Sequence, residues 1–258
     1  MRHGITSLLC LIVLFLCNCN KHQTDRQPGV CISFDDRFVD EWYEIKDLLD
    51  TYDAKVTFFV TQFDSLSPSE IDKLKALQDA GHEIASHGAL HVISEHYIKE
   101  HSYKKYLDDE INHNIATMEK HGFPPKTFAY PYGAKYWFTD YLLKNRFNLL
   151  RGVASHNKEK DLSAVSKAYY RFEGNRVLDA LGIDHLNNIP KDMMSKALQR
   201  AAAHHEVLLL FGHKPTHNPS SDSYEVDIEF LTFILKEAQQ KGLKFYRFNE
   251  LYLQKAKD

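Results

Sequence analysis

Two adjacent carboxylates, Asp35 and Asp36, close the segment Val30-Cys-Ile-Ser-Phe-Asp-Asp-Arg37. Neighbouring carboxylates repel unless a cation or a shared proton relieves them, so the pair invites a metal ion. The chain offers further ligands for one. His87 and His91, in Ser86-His-Gly-Ala-Leu-His91, have the spacing that puts two imidazoles on one side of a helical turn. Two neutral imidazoles and one carboxylate suit zinc and leave a coordination position open for water. His213 follows the apolar run Val207–Phe211 and Gly212, which places it at a strand end. There it is either a satisfied core histidine or a proton donor working near neutral pH. Tyr130-Pro-Tyr-Gly133 reads as a turn, and a turn at a strand mouth can also aim a backbone N–H at developing negative charge. Each pattern has a plain alternative, an exposed turn for the acids and two surface positions for histidines in a chain that has 15 of them.

These groups meet only if strands bring them together. Val30 to Phe34 has the residue types of a buried strand, and ionised carboxylates cannot continue it inward without partners. Asp35 and Asp36 therefore belong at its C-terminal mouth, where α/β folds place ligands. Further strands are expected at Lys55–Val60, His82–Ser86, Thr127–Tyr130, Leu149–Ala154, Val207–Phe211 and Leu243–Phe248, with another at Ala168–Phe172. Helices are expected at Asp40–Tyr52, from Pro68 to Ala80 behind a Ser67 cap, Tyr103–His121, Phe138–Asn145, Lys191–His204 and Val226–Lys241. The stretch from His156 to Asn188 carries no clear period. Alternation of apolar strands with helices implies a parallel sheet covered by helices. About seven strands favour a distorted (β/α)7-type barrel with parallel strands, a single α/β domain over residues 30–258.

The 258 residues, 43% hydrophobic and 26% charged, are ordinary for a globular domain. A net charge of −3 and the lack of a basic stripe argue against nucleic acid as a partner. The N-terminus differs from the rest. Arg2 and His3 precede the apolar run Leu8–Leu16, which ends at Cys17-Asn-Cys-Asn20 and is too short for a comfortable membrane span. Residues 1–19 read as a lipoprotein-type signal segment with lipidation at Cys19, or at Cys17. The alternatives are plain signal cleavage or an uncleaved anchor. Residues 20–29 read as a tether. All of these readings make the protein extracytoplasmic, and the first two lipid-anchor it to a bacterial membrane. Cys31 is then the only thiol of the domain and reads as a small buried apolar residue.

The four polar elements in this order resemble the polysaccharide deacetylases of carbohydrate esterase family 4, the NodB-homology domain, over Val30 to Leu251. The family's Thr-Phe-Asp-Asp-Gly appears as Ser33-Phe-Asp-Asp-Arg37, and its His-Ser/Thr-x-x-His as His87-Gly-Ala-Leu-His91. Its Arg-x-Pro-Tyr-Gly appears as Ala129-Tyr-Pro-Tyr-Gly133, and its late Leu-x-His as Phe211-Gly-His213. The resemblance implies a metal-dependent hydrolase that removes N-acetyl (or O-acetyl) groups from an extracytoplasmic, N-acetylglucosamine-containing polysaccharide. By position, Asp35 is the general base, His213 the general acid, and the Tyr132 backbone N–H an oxyanion donor. Asp36, His87 and His91 hold one divalent ion, zinc first, with cobalt, nickel or manganese as alternatives, and the base acts on water bound there. Tyr130, Pro131, Arg171 and Arg37 are the substrate-binding candidates. The variant Phe-Ala-Tyr-Pro-Tyr-Gly resembles the branch acting on poly-N-acetylglucosamine. Three departures stand out: Ala129 replaces the arginine that orients the base, Gly88 the Ser or Thr bracing the metal loop, and Arg37 a glycine. Arg171 is a candidate for the missing arginine, and no partner for the acid histidine is visible. These gaps leave a second reading, a non-catalytic carbohydrate-binding or structural lipoprotein that retains the fold.

Overall fold

The computed structural model describes residues 26–155, 161–221 and 223–253. The expected signal segment 1–19 lies outside them, as do residues 20–25 of the expected tether. The strands are β1 (Gly29–Asp36), β2 (Thr57–Val60), β3 (Glu83–Ser86), β4 (Thr127–Ala129), β5 (Leu149–Val153), β6 (Tyr169–Tyr170), β7 (Val177–Gly182), β8 (Val207–Gly212), β9 (Lys214–Thr216), β10 (Glu225–Asp227) and β11 (Lys244–Phe245). Seven of them run parallel in the order β1-β2-β3-β4-β5-β7-β8, and β8 pairs back onto β1, which closes the barrel. The short β6 lies antiparallel on β8 and β11 parallel on β1, while β9 and β10 form a separate pair. The expected single-domain (β/α)7-type barrel is therefore present.

Alternation along the strands sorts the side chains into two shells. Val30, Ile32 and Phe34 of β1 pack outward with Trp42, Leu74 and Leu198 of the surrounding helices. Cys31 instead joins Phe59, Ala85, Ala129, Leu149, Leu178, Leu209 and Phe211 in a core contributed by the strands. The helices α1 (Val39–Glu44), α2 (Lys46–Thr51), α3 (Pro68–Asp79), α4 (Ser94–Glu100), α5 (Tyr103–Tyr106), α6 (His113–Lys120), α7 (Trp137–Leu143), α8 (Lys191–His204) and α9 (Ile228–Gln240) accompany this barrel. The expected α3 start is a capping box: Glu70 N–H donates to Ser67 Oγ at 3.2 Å, and Ser67 N–H to Glu70 Oε2 at 2.7 Å.

Several boundaries differ from the sequence reading. The helix expected over Asp40–Tyr52 breaks at Ile45 into α1 and α2. Between α5 and α6 the helix widens into a π turn over Leu107–Asn112. The end of the expected tether is held in place: Pro28 C=O accepts from Lys244 N–H at 3.0 Å, and Gly29 already pairs in β1. The short pair β9 and β10 was not expected, and the missed barrel strand is β7, whose apolar run is interrupted by Asp179. That carboxylate meets Lys135 Nζ at 2.5 Å and so does not belong to the barrel interior.

His82, just before β3, is 2% exposed, and its Nδ1 accepts from Val56 N–H at 3.2 Å. Burial holds its pKa down to about 4. The unfolded chain takes up this proton near the usual value of about 6.5. Folding stability is thus intact above that value and falls as pH drops toward the folded pKa, by up to about 3 kcal/mol from this group alone. Urea midpoints of metal-free protein between pH 7 and 4 should decline accordingly, and His82→Gln should flatten the slope.

Candidate active site

The C-terminal ends of the parallel strands share one face of the barrel, and five of them carry polar side chains at or just beyond the strand end. Asp36 ends β1 with a positive φ of 83°, which turns its carboxylate off the strand line. His87 follows β3, is fully buried, and donates from Nδ1 to Ala129 C=O at 2.9 Å. That bond fixes the tautomer and leaves Nε2 free to act as a ligand. His91 lies on the following loop at φ 59°. The two histidines therefore do not share a helical turn as their spacing suggested; Gly88, at φ 83°, and His91 fold the chain back on itself instead.

His91 Nε2 stands 3.2 Å from Asp36 Oδ1, and His87 Nε2 stands 3.6 Å from the same oxygen. One ligand atom from each of the three residues lies within 4.8 Å of the others, which is a set that can hold a metal ion. The donors fit zinc in kind, two imidazole nitrogens and a carboxylate oxygen. Their protonation states fit as well. Burial, opposed by Asp35, holds His87 down to about 4, so it is neutral at pH 7. Burial alone would raise the Asp36 pKa, but the hydrogen bond from His91 and the charges of nearby histidines bring it below the usual value.

Asp35 sits beside this set and is buried inside the barrel mouth. Its Oδ2 is paired with Arg151 Nη2, and it lies 4.0 Å from His87 Nε2. Oδ1 is buried without a hydrogen-bond partner, as are Nε and Nη1 of Arg151. Arg151 comes from β5, is fully buried, and stacks its guanidinium over Phe211 at 4.6 Å and Phe59 at 5.5 Å. The arginine missing at position 129 is thus supplied by the neighbouring strand rather than by Arg171. Arg171 lies near the opposite end of the barrel, where its Nε donates to Glu206 Oε1 at 2.7 Å just before β8 begins. One six-residue strand, roughly 20 Å at the usual rise, separates that position from the mouth at Gly212.

His213 follows β8 at the same mouth. Its Nδ1 lies 2.7 Å from Asp184 Oδ2, and its backbone N–H donates to Asp184 Oδ1 at 2.9 Å. Trp42 Nε1 donates to the His213 carbonyl at 3.0 Å. The His213 ring therefore has a carboxylate partner and its carbonyl a tryptophan donor; sequence inspection missed the carboxylate because Asp184 follows the unrecognised β7. Burial works against the charged imidazole, but the bond to Asp184 and the charges of Asp184, Asp35 and Asp36 outweigh it and raise the pKa.

The remaining substrate-binding candidates divide. Tyr130 is buried and donates its hydroxyl to Asp140 Oδ1 at 2.7 Å, and Pro131 is buried too, so neither side chain faces solvent. Both shape the turn instead. Arg37 is half exposed but tied to Ser65 Oγ at 2.6 Å. Tyr132, at φ 59° and 68% exposed, lays its ring against His91 with centroids 4.7 Å apart. Tyr224, 65% exposed, does the same against His213 at 5.1 Å. Two exposed aromatic rings thus stand at the mouth, one against His91 and one against His213.

Comparison with known proteins fits this geometry. The barrel is similar to the chitin deacetylase of the fungus Colletotrichum lindemuthianum, with a TM-score of 0.57 and 16% identity over 90% of each chain. It is also similar to a family 4 carbohydrate esterase from Streptomyces lividans, with a TM-score of 0.53 and 15% identity over 84% of this chain and 90% of that one. A third likeness is the catalytic domain of a peptidoglycan N-acetylglucosamine deacetylase from Eubacterium rectale, with a TM-score of 0.52 and 16% identity over 86% of this chain and 89% of that one. No curated protein sequence gives a significant match. The family model described as polysaccharide deacetylase matches residues 22–146, a span that contains Asp35, Asp36, His87, His91 and Tyr132. By that match, which spans just under half of the chain, and by this barrel, the chain is similar to the polysaccharide deacetylases of carbohydrate esterase family 4.

Proposed function

We propose that the protein is an active, metal-dependent deacetylase that removes N-acetyl groups from an extracytoplasmic polysaccharide containing N-acetylglucosamine. One observation carries this reading: a buried carboxylate oxygen of Asp35 without a partner, at a barrel mouth that also holds a three-residue ligand set and a histidine held by its own aspartate. A purely binding protein has no use for a buried carboxylate and a carboxylate-held histidine beside a ligand set. The two gaps that favoured a non-catalytic reading are filled, by Arg151 beside Asp35 and by Asp184 beside His213.

Asp36, His87 and His91 would hold the ion, zinc by the kind of donor. When bound, it supplies Lewis acidity to the attacking water and to the acetyl carbonyl. Asp35 Oδ1 would take the proton from that water, while Arg151, paired with Oδ2, keeps the carboxylate aimed. Negative charge developing on the acetyl oxygen is assigned to the Tyr132 backbone N–H as well. His213, held as imidazolium by Asp184, gives a proton to the departing nitrogen as the C–N bond breaks. Acetate and a free amine leave. Tyr132 and Tyr224 offer exposed faces on which sugar rings stack, and Arg37, held by Ser65 just after β1, is kept as a substrate-binding residue in this reading. Support for the substrate class comes from the structural relatives described as acting on chitin and on peptidoglycan N-acetylglucosamine. The proposal keeps the N-terminal segment as a lipid anchor attached at Cys19.

Incubating zinc-loaded protein with an N-acetylglucosamine oligomer, and the same enzyme stripped by a chelator, tests the reading. Acetate should appear only with metal and return when zinc is restored. Tight metal binding without acetate from any acetylated glycan would sink it and leave the binding-protein reading.

A further inference from the structure

We propose that Glu110 is the positioning residue of the metal-ligand loop, taking the place left open by Gly88. The inference rests on the metal reading above and extends it to a residue outside the ligand set. Glu110 lies on the π turn between α5 and α6 and has no solvent exposure. Its Oε2 accepts from Leu90 N–H at 2.5 Å and its Oε1 from Val92 N–H at 3.2 Å. Its own carbonyl accepts from Ala89 N–H at 3.0 Å. One carboxylate thus grips the chain immediately before and immediately after His91. That histidine has φ 59°, a conformation a residue with a side chain keeps only when its surroundings fix it.

Gly88 is part of the same device. A Cβ at that position would lie 2.1 Å from Glu110 Oε1 and 2.6 Å from its Cδ, so the carboxylate occupies the space a side chain would need. The backbone there is at φ 83°, which also favours glycine. Residue 88 is therefore small because the brace arrives from a helix rather than from the loop itself. The π turn belongs to this arrangement, since such wide turns are common where a helix must aim one side chain at a functional site. Partners of ligand residues commonly change metal affinity about 10- to 100-fold when removed.

Titration of metal-free protein with zinc, and with cobalt followed by its visible absorption, tests the proposal. Glu110→Gln keeps the volume and loses one of the two acceptors. It should weaken metal binding about 10-fold and alter the cobalt spectrum, and Glu110→Ala should weaken it toward 100-fold. Gly88→Ser should cost more affinity in the wild-type background than in the Glu110→Ala background. If the wild type binds metal and both Glu110 variants bind it equally tightly, the proposal is wrong, even where their metal-free melting temperatures fall. Absence of metal binding by the wild type would instead overturn the metal reading itself.

Discussion

The Arg151→Met variant is expected to lose about 3–5 kcal/mol of folding stability in the metal-free protein, together with its turnover. The cause is electrostatic. Asp35 is buried, its Oδ2 is paired with the Arg151 guanidinium, and its Oδ1 has no partner. Methionine leaves a carboxylate in the barrel mouth with no compensating charge, so the group either destabilises the fold or takes up a proton. A protonated Asp35 cannot accept a proton from water, and the base function is lost with the stability. Urea unfolding reads the first effect and acetate release the second. Adding Asp35→Asn to Arg151→Met should restore most of the stability and none of the turnover. Full stability in the single variant would show that Arg151 does not hold the base.

The second large effect is that of His213→Ala, which should reduce kcat by about 10²- to 10⁴-fold while leaving bound zinc at one equivalent. The imidazole stands outside the ligand set, so metal analysis separates an acid from a ligand. Loss of metal in that variant would contradict the assigned role. Asp184→Asn gives the finer measurement. Because the bond to Asp184 and its charge are the leading causes that raise the His213 pKa, its removal should lower it. The imidazolium is the active form, so activity persists up to the raised pKa and is lost above it. In the Asp184→Asn variant the alkaline limb of the kcat/KM profile should therefore move to lower pH. The same pair stabilises the fold at low pH, and that contribution is lost as pH rises through the folded pKa of His213.

How much of this was readable in the residues follows from where each signal lies. Asp35-Asp36, His87 and His213 each follow a strand-like run, and the strand pattern alone was enough to put them on one face, whereas His91 was placed through a helical turn that the loop does not form. The barrel followed from the same alternation. What escaped notice depends on contacts between segments distant in the chain. Arg151 stands in the middle of Leu149-Leu-Arg-Gly-Val153, and its burial is explained only by a carboxylate 116 residues earlier. An arginine inside an otherwise apolar strand was the available clue. Asp179 disguised β7 and with it Asp184, although Asp179 merely meets a lysine from a loop. Arg171 was a reasonable alternative by residue type, but its partner Glu206 lies before β8 rather than after it. Glu110 gave no local sign at all, being one acid among several on an amphipathic helix.

Barrel closure has a consequence for how the protein is made. Ser33 Oγ donates to Leu210 C=O at 3.2 Å across 177 residues, and β1 pairs with β8 along Gly29 to Phe34. A nascent chain that has emerged as far as residue 91 carries all three candidate ligand residues, yet its first strand still lacks two of its three partner strands, β8 and β11. Folding is therefore governed by high contact order, slow and late, with the apolar edge of the opening strand unprotected until residue 212 is available. A C-terminally clipped product would keep the cation-binding residues and lose both the seam and the proton donor.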